Sequence, residues 1–418
     1  MYLGINEFII LTFVFEIEKI YYPILAVVGV TANSMTIVIL SRGKCGLSKC
    51  VTRYLVAMAA ADLLVVTTDL ILRQIPIVHH LYFVRGIPVC NIHAVLLYVA
   101  TDCSVWFTVT FTFDRFVAIC CQKLKTKYCT EKTAAVVLGA VTVLSCLKNI
   151  FWYFMYLPWY RLANTPWFCY VSVLVMISRL WVTLELLHSI LTPCIPFVLI
   201  LLLNALTIRH ILVASRVRRR LRNHSSEGIA SDIEMERRRK SIILLLIISG
   251  SFILLWAVFM LFSIWNRLSY FVLDTIHLPA YMKEIGFMLQ LLSCCTNTCI
   301  YAVTQNKFRE QLKNVVKCLY LRIVKIIKWT LIIILNEQWS QQRHLADTIG
   351  DFTAFQITKV LYYSLLSVTR RISNLCRHCT LITVGFNFAS KSAVRYFIKC
   401  LVKIRQVSQA RFAFVKLD

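Results

Sequence analysis

Apolar residues gather in seven blocks, roughly 21–41, 54–75, 90–121, 134–157, 181–208, 241–265 and 282–304. A bilayer-crossing helix takes about 20 mainly apolar residues. The pattern therefore predicts an all-α membrane protein, a seven-transmembrane helix bundle. The third block is longer than a crossing requires, which suits a tilted helix. Polar residues interrupt the second and seventh. Asp62, Asp69 and Arg73 lie in the second, and Asp69 and Arg73, four apart, share a helix face. A structural ion pair is one reading of them, and a ligand contact near the outer end is the other.

Composition strengthens the membrane reading. Apolar residues make up 59% of the 418 and charged ones 16%, and mean hydropathy is +0.70. The net charge of +26 would suggest nucleic acid in a soluble chain. Here the basic residues cluster between apolar blocks, at 42–53, 123–132, 209–222 and 237–240, while the connections 79–88 and 157–179 are poor in them. That alternation follows the positive-inside rule. It puts the N-terminus outside, the basic loops and C-terminus in the cytoplasm, and the lipid bilayer where nucleic acid would otherwise be the partner. The 17 cysteines mostly lie inside apolar runs, where they act as small hydrophobes. FIILTFVF near the start has no basic flank or small-residue cleavage site, so the first span is expected to act as a signal anchor.

Polar groups inside apolar spans need partners. Asp62 has no base within a turn, and an unpaired carboxylate at mid-membrane costs about 2.5–3.5 kcal/mol on the lenient insertion scale. Asn33, Ser104, Ser293 and Asn297 lie in the first, third and seventh spans. With Asp62 they form a hydrated pocket suited to a sodium ion, or make separate hydrogen bonds between helices. In FTFDRFVAIC, Asp114 and Arg115 sit 24 and 25 residues after Cys90. At 1.5 Å per residue Arg115 is about 37 Å along, enough to reach the other interface. Adjacent residues on a helix do not face each other, but a long arginine can bend back.

Cys90, that spacing and Asp-Arg-aromatic at the inner end resemble the third helix of class A (rhodopsin-like) G-protein-coupled receptors. Asn33 in GVTANSMTIVIL, Asp62 in AMAAADLLV, Trp256 in FILLWAV, and Asn297 and Tyr301 in NTCIY resemble the family's residues on the first, second, sixth and seventh helices. Within class A, the texture looks most like the orphan receptors numbered one hundred thirty-nine and one hundred forty-two. The resemblance implies several things. Asp114, Arg115, Trp256, Asn297 and Tyr301 would form the activation switch, and Asn33, Asp62, Ser104, Ser293 and Asn297 a polar core with an allosteric sodium. A Cys90–Cys169 disulfide would pin the outer loop. The partners would be a heterotrimeric G protein, chiefly of the Gq class, and an extracellular small-molecule ligand, aromatic amino-acid-like or peptide. There are departures: Phe116 replaces tyrosine, Val258 and Thr298 replace prolines, Phe259 replaces an arginine, and VVLGAVTVLSCL lacks a tryptophan. Without its proline the sixth helix should bend less.

The position that holds an amine-binding aspartate in some relatives is Leu97, which argues against a biogenic amine. Tyr98, Asp102, Trp106, Glu185, His188, Trp256 and Phe259 are the candidate ligand pocket, with Glu185 and His188 expected to pair across one helix face. No cofactor is expected beyond the sodium. No Walker loop, His-Glu-x-x-His or nucleophile elbow occurs, so no enzyme is expected. A signalling-deficient heptahelical scaffold is the alternative. A small-solute transporter ranks below it, since no internal repeat is visible.

The expected organisation is an extracellular N-terminus over 1–20, a receptor domain over 21–304 and an amphipathic helix over 305–318 with Cys318 as a lipidation candidate. Residues 319–418 are basic and apolar, unlike a usual receptor tail. They are either a tail lying in part on the inner membrane surface or a gene-model artefact. Cys376 and Cys379 have zinc-like spacing but no second pair.

Overall fold

A computed structural model of the protein describes residues 2–79, 87–154, 178–221, 229–272 and 278–349. Among these, seven helical stretches are long and apolar enough to cross a membrane. They are α1 Glu7–Ser41, α2 Lys49–His79, α3 Val89–Cys120, α4 Glu131–Phe154, α5 Arg179–Ala214, α6 Ile242–Asn266 and α7 Ala280–Thr304. A further helix, α8, covers Asn306–Ile349. The described residues contain no strand. The chain divides into two units, 1–312 and 313–418, and the seven spans belong to the first.

Local chemistry sets the helix ends. Gly43 and Gly46 turn the chain after α1 with φ of 68° and 69°, a left-handed conformation that glycine adopts without a Cβ clash. Ser48 then caps α2 by accepting from the Val51 amide, and Thr130 caps α4 by accepting from the Thr133 amide at 3.2 Å. The helix containing α1 starts at Tyr2, so helix runs through the boundary expected at residue 20. Glu7 accepts a hydrogen bond from the Ala280 amide at 2.8 Å, tying the start of α1 to the start of α7. Likewise α8 continues to Ile349, with no helix end at 318.

Two spans are irregular inside. Val66–Gln74 of α2 is wound as a π-helix, and it contains both Asp69 and Arg73. Ile190–Cys194 of α5 is also π-wound, and Thr192 there leaves helical geometry with φ −147° and ψ 95°. Pro193 explains this, because a proline drives the preceding residue toward extended backbone. The sixth span has no such break: Ile229–Val272 is a single α-helix in which Val258 stands at the expected proline position.

The third span is the axis of the bundle. Its most apolar window is 61% buried, against 22% for α4, which exposes Val136, Val143, Leu144 and Leu147. Helix α3 packs on α2, α4, α5 and α6, while α1 packs on α2 and α7, and α6 on α7. Two glycines permit close approach. A Cβ at Gly29 would come within 2.8 Å of the Cys295 sulfur, and one at Gly286 within 2.9 Å of the Phe259 Cα. Tyr22, Leu25, Val66, Leu70, Leu291 and Cys295 form a core between α1, α2 and α7. Val105, Val109, Ile200, Phe252 and Trp256 form another between α3, α5 and α6.

Candidate functional site

Three polar constellations lie along α3. The middle one centres on Asp62, which is 2% exposed. Its Oδ1 accepts from Ser104 Oγ at 2.5 Å, and its Oδ2 from Asn297 Nδ2 at 2.7 Å. One carboxylate thus joins α2, α3 and α7. Asn33 lies alongside but does not bond Asp62; its Nδ2 donates to the carbonyls of Gly29 at 3.0 Å and Cys294 at 2.8 Å. Thr36 and Thr298 share a hydrogen bond of 2.7 Å between α1 and α7. Ser293 enters as a backbone acceptor for Thr296 and makes no hydrogen bond to Asp62. Both Asp62 oxygens already face protein donors, and Asn33 presents an N–H, not an oxygen, to its neighbours. Among the described residues no three His, Cys, Asp or Glu side chains cluster.

The second constellation lies near the end of α3 opposite Cys90. Arg115 folds back on its neighbour, with Nε donating to Asp114 Oδ2 at 3.0 Å and Nη2 bonded to the same oxygen. Both residues are buried. Asp114 also accepts from the Cys50 thiol at Oδ1, 3.2 Å away, and its carbonyl faces the Cys129 thiol at 3.6 Å. Each lone pair that the carboxylate turns to a neighbour lowers the cost of burying it. The guanidinium is held on its own helix by Asp114. Tyr301 packs against Phe308 with ring centroids 5.8 Å apart, and its buried hydroxyl has no hydrogen-bond partner among the described residues.

The third lies in the half nearer Cys90. Asp102, fully buried, receives Lys148 Nζ at 2.7 Å and a bond from Asn149 Nδ2. Lys148 also donates to Thr192 Oγ1 at 2.8 Å. That hydroxyl is presented where Pro193 breaks α5, so the break serves the polar network. Asn149 in turn accepts from Trp152 Nε1 at 3.0 Å. Trp152 stacks on Tyr98 with centroids 4.0 Å apart and rings 9° from parallel, and His188 stands edge-on to both. Asp102 Oδ1, His188 Nδ1 and Trp181 Nε1 are buried without hydrogen-bond partners among the described residues.

The seven expected pocket residues therefore separate. Tyr98, Asp102 and His188 join the Lys148–Trp152 network, whereas Trp106, Trp256 and Phe259 pack in the α3–α5–α6 core. Trp256 is 2% exposed and lies 5.3 Å from Phe252 and 6.2 Å from Phe259 by ring centroid. His188 is held by ring contacts to Tyr98 and Trp152, and the Glu185 carbonyl accepts from Ser189. Asp69 and Arg73 do pair, at 3.0 Å, with the guanidinium also over the Phe287 ring. Lys148, Asn149, Trp152 and Thr192 were not anticipated. A lysine and an asparagine inside an apolar span are themselves the signal, since each demands a buried partner.

Cys90 is disulfide-bonded. Cys169, its expected partner, lies outside the described residues, as do Cys376 and Cys379, and the side chains of 237–240 are not described. Cys318 is a half-buried free thiol on α8.

Seven apolar helices around a central α3, tied together by buried polar residues at three levels, define a multi-pass membrane receptor of the heptahelical class. The family model described as 7 transmembrane receptor (rhodopsin family) matches residues 32–301, and the chain belongs to that family. It is thus a G-protein-coupled receptor, whose general partners are a ligand and a heterotrimeric G protein, in a family that is generally non-enzymatic.

Proposed function

We propose that this receptor lies in the plasma membrane with its N-terminus outside, and couples an extracellular small molecule to nucleotide exchange on a G protein of the Gq class. The observation that carries the reading is the Asp114–Arg115 pair closing one end of α3, while Asp102 and Tyr98 of the same helix face an aromatic and charged network toward the other. A ligand can shift a two-state bundle only through contacts that differ between the states. One rigid helix touching both levels supplies a route for that bias. The orientation is supported by the basic residues at 42–53 and 123–132, on the Arg115 side of the bundle.

The ligand proposed is aromatic amino-acid-like or a short peptide, by resemblance to the orphan receptors numbered one hundred thirty-nine and one hundred forty-two. Tyr98 and Trp181, both half-buried, border the Asp102–Lys148 pair and would meet an aromatic group there. In the active state Arg115 would leave Asp114, as α6 swings outward and opens a cleft for the G protein. Helix α8, exposing Leu319, Tyr320, Ile326 and Trp329 beside several lysines and arginines, would lie on the inner membrane surface, with Cys318 open to acylation. We take 305–318 as its functional first part, and 319–418 as a tail of atypical composition.

A second reading has one observation in its favour. The unbroken α6 favours a heptahelical binding or scaffold protein that no longer signals, because without a proline at Val258 the helix keeps its backbone bond there and bends less. A screen of aromatic amino acids and short peptides separates the two, with nucleotide exchange on purified G protein as readout. Binding with exchange supports the receptor, and binding without exchange supports the scaffold.

A further inference from the structure

Between α3, α4 and α5, toward the Arg115 end, the side of the bundle contains a cavity of about 310 Å³. Val109, Val137, Leu199 and Leu203 wall it, Tyr128 and Asp114 border it, and the Thr110 and Thr133 hydroxyls on its lining are already bonded to Trp106 and Thr130. Phe113 and Leu202 line it too, yet they are 51% and 52% exposed, so it opens sideways from the bundle. In a bilayer that side faces acyl chains. The volume stands at the lower end of the roughly 300–1,000 Å³ of small-molecule sites. A lining so apolar offers water few of the two to four polar partners it needs. Left empty, the walls would forfeit dispersion contacts. Hydrocarbon is the occupant that suits it.

A second feature concerns charge. Tyr128 ends the short helix Gln122–Tyr128, which also carries Lys123, Lys125 and Lys127, all exposed. Lys132, just beyond, is exposed as well. None of the four forms an ion pair among the described residues. The neighbouring acid, Glu131, is already held by Arg53 at 2.8 Å and Lys49 at 3.8 Å. An apolar cavity open to lipid thus adjoins an unneutralised cationic group at the membrane edge.

We propose that this is a binding site for an anionic phospholipid, with part of one acyl chain in the cavity and the headgroup at the lysines of the short helix, Lys125 foremost, since it lies three residues before Tyr128 on the same face. Neutral lipid tails would fill the cavity as well as anionic ones do, so selectivity resides in the lysines. The site goes beyond the signalling reading and takes from it only the orientation, which turns these lysines toward the leaflet rich in anionic lipid. Its occupant braces the short helix over Asp114, at the same end as the Arg115 pair.

The test uses the full chain in nanodiscs of symmetric composition, with photoreactive phospholipids that differ only in carrying a serine or a choline headgroup. The serine probe is expected to label Phe113, Val137 and Leu203 in preference to the choline probe. Lys123→Gln, Lys125→Gln and Lys127→Gln should each reduce that preference, by up to roughly fivefold per lysine. Val137→Phe, which fills the cavity while the protein still elutes as a folded monomer, should reduce labelling by both probes; Leu203→Phe replaces it if that variant does not fold. Equal labelling by the two probes, or labelling unchanged by the filled cavity, overturns the proposal. If the lysines instead serve only a protein partner, the headgroup preference will be absent, which also overturns it. No signalling is read, so a receptor that fails to activate G protein leaves this outcome intact.

Discussion

Lys148 of α4 reaches the carboxylate of Asp102 in α3 at 2.7 Å, inside the half of the bundle nearer Cys90. This pair makes Asp102 half of a neutral unit, where a lone acid would be an anionic anchor for an amine. Removing one partner leaves an uncompensated charge, which for buried pairs costs about 3–5 kcal/mol. Lys148→Met should therefore destabilise the protein strongly, and adding Asp102→Asn should restore most of the loss. Thermal unfolding of the single and double variants in detergent checks this. Equal melting temperatures for the two would show that the pair is not coupled.

The Asp62 network makes a different prediction. Ser104 and Asn297 each satisfy one carboxylate oxygen. Ser104→Ala and Asn297→Ala each orphan a buried acceptor, at about 1–3 kcal/mol. Asp62→Asn removes the charge and softens both losses, so either alanine change should cost less in that background. A double-mutant cycle on thermal stability measures the coupling, and strict additivity would argue against a shared network.

Two glycines of α6 and α7 should respond oppositely to alanine. At Gly286 the new Cβ meets the backbone of Phe259, whereas at Gly250 nothing lies within 4 Å. Gly286→Ala should destabilise by about 1–3 kcal/mol through overpacking. Gly250→Ala should be neutral or stabilising by up to roughly 1 kcal/mol, from helix propensity. Melting temperatures that move together would contradict the close approach of α6 and α7.

The unbroken α6 leads to a prediction about activity. Val258→Pro removes a backbone hydrogen bond and introduces a bend, at about 3 kcal/mol. If a stiff α6 limits activation, this variant should melt lower and yet show more agonist-independent exchange on G protein. Lower stability with unchanged exchange would separate stiffness from signalling.

The seven spans were legible because hydropathy over 20 residues needs no knowledge of neighbours; helix runs beyond them at α1, back to Tyr2, after α5, on to Leu221, and around α6, from Ile229 to Val272. The link of Asp62 to Ser104 and Asn297 was also foreseeable, since buried polar groups on adjoining helices must find one another. Lateral packing was not. Whether Trp106 belongs with Tyr98 or with Trp256 depends on the rotation of α3, and a π-wound segment such as Val66–Gln74 changes such rotations without a mark in the apolar pattern. Lys148 could have been flagged as a buried cation, but its partner on another helix could not have been named.

The Asp114–Arg115 pair is proposed to restrain a signalling receptor. This restraint is tested most directly by agonist-independent nucleotide exchange on Gq in nanodiscs. Asp114→Asn weakens the hold on Arg115 and should raise exchange several-fold, while Arg115→Ala added to it should return exchange to the level of empty discs, with the amount of folded receptor unchanged. Exchange that ignores both substitutions would contradict the account.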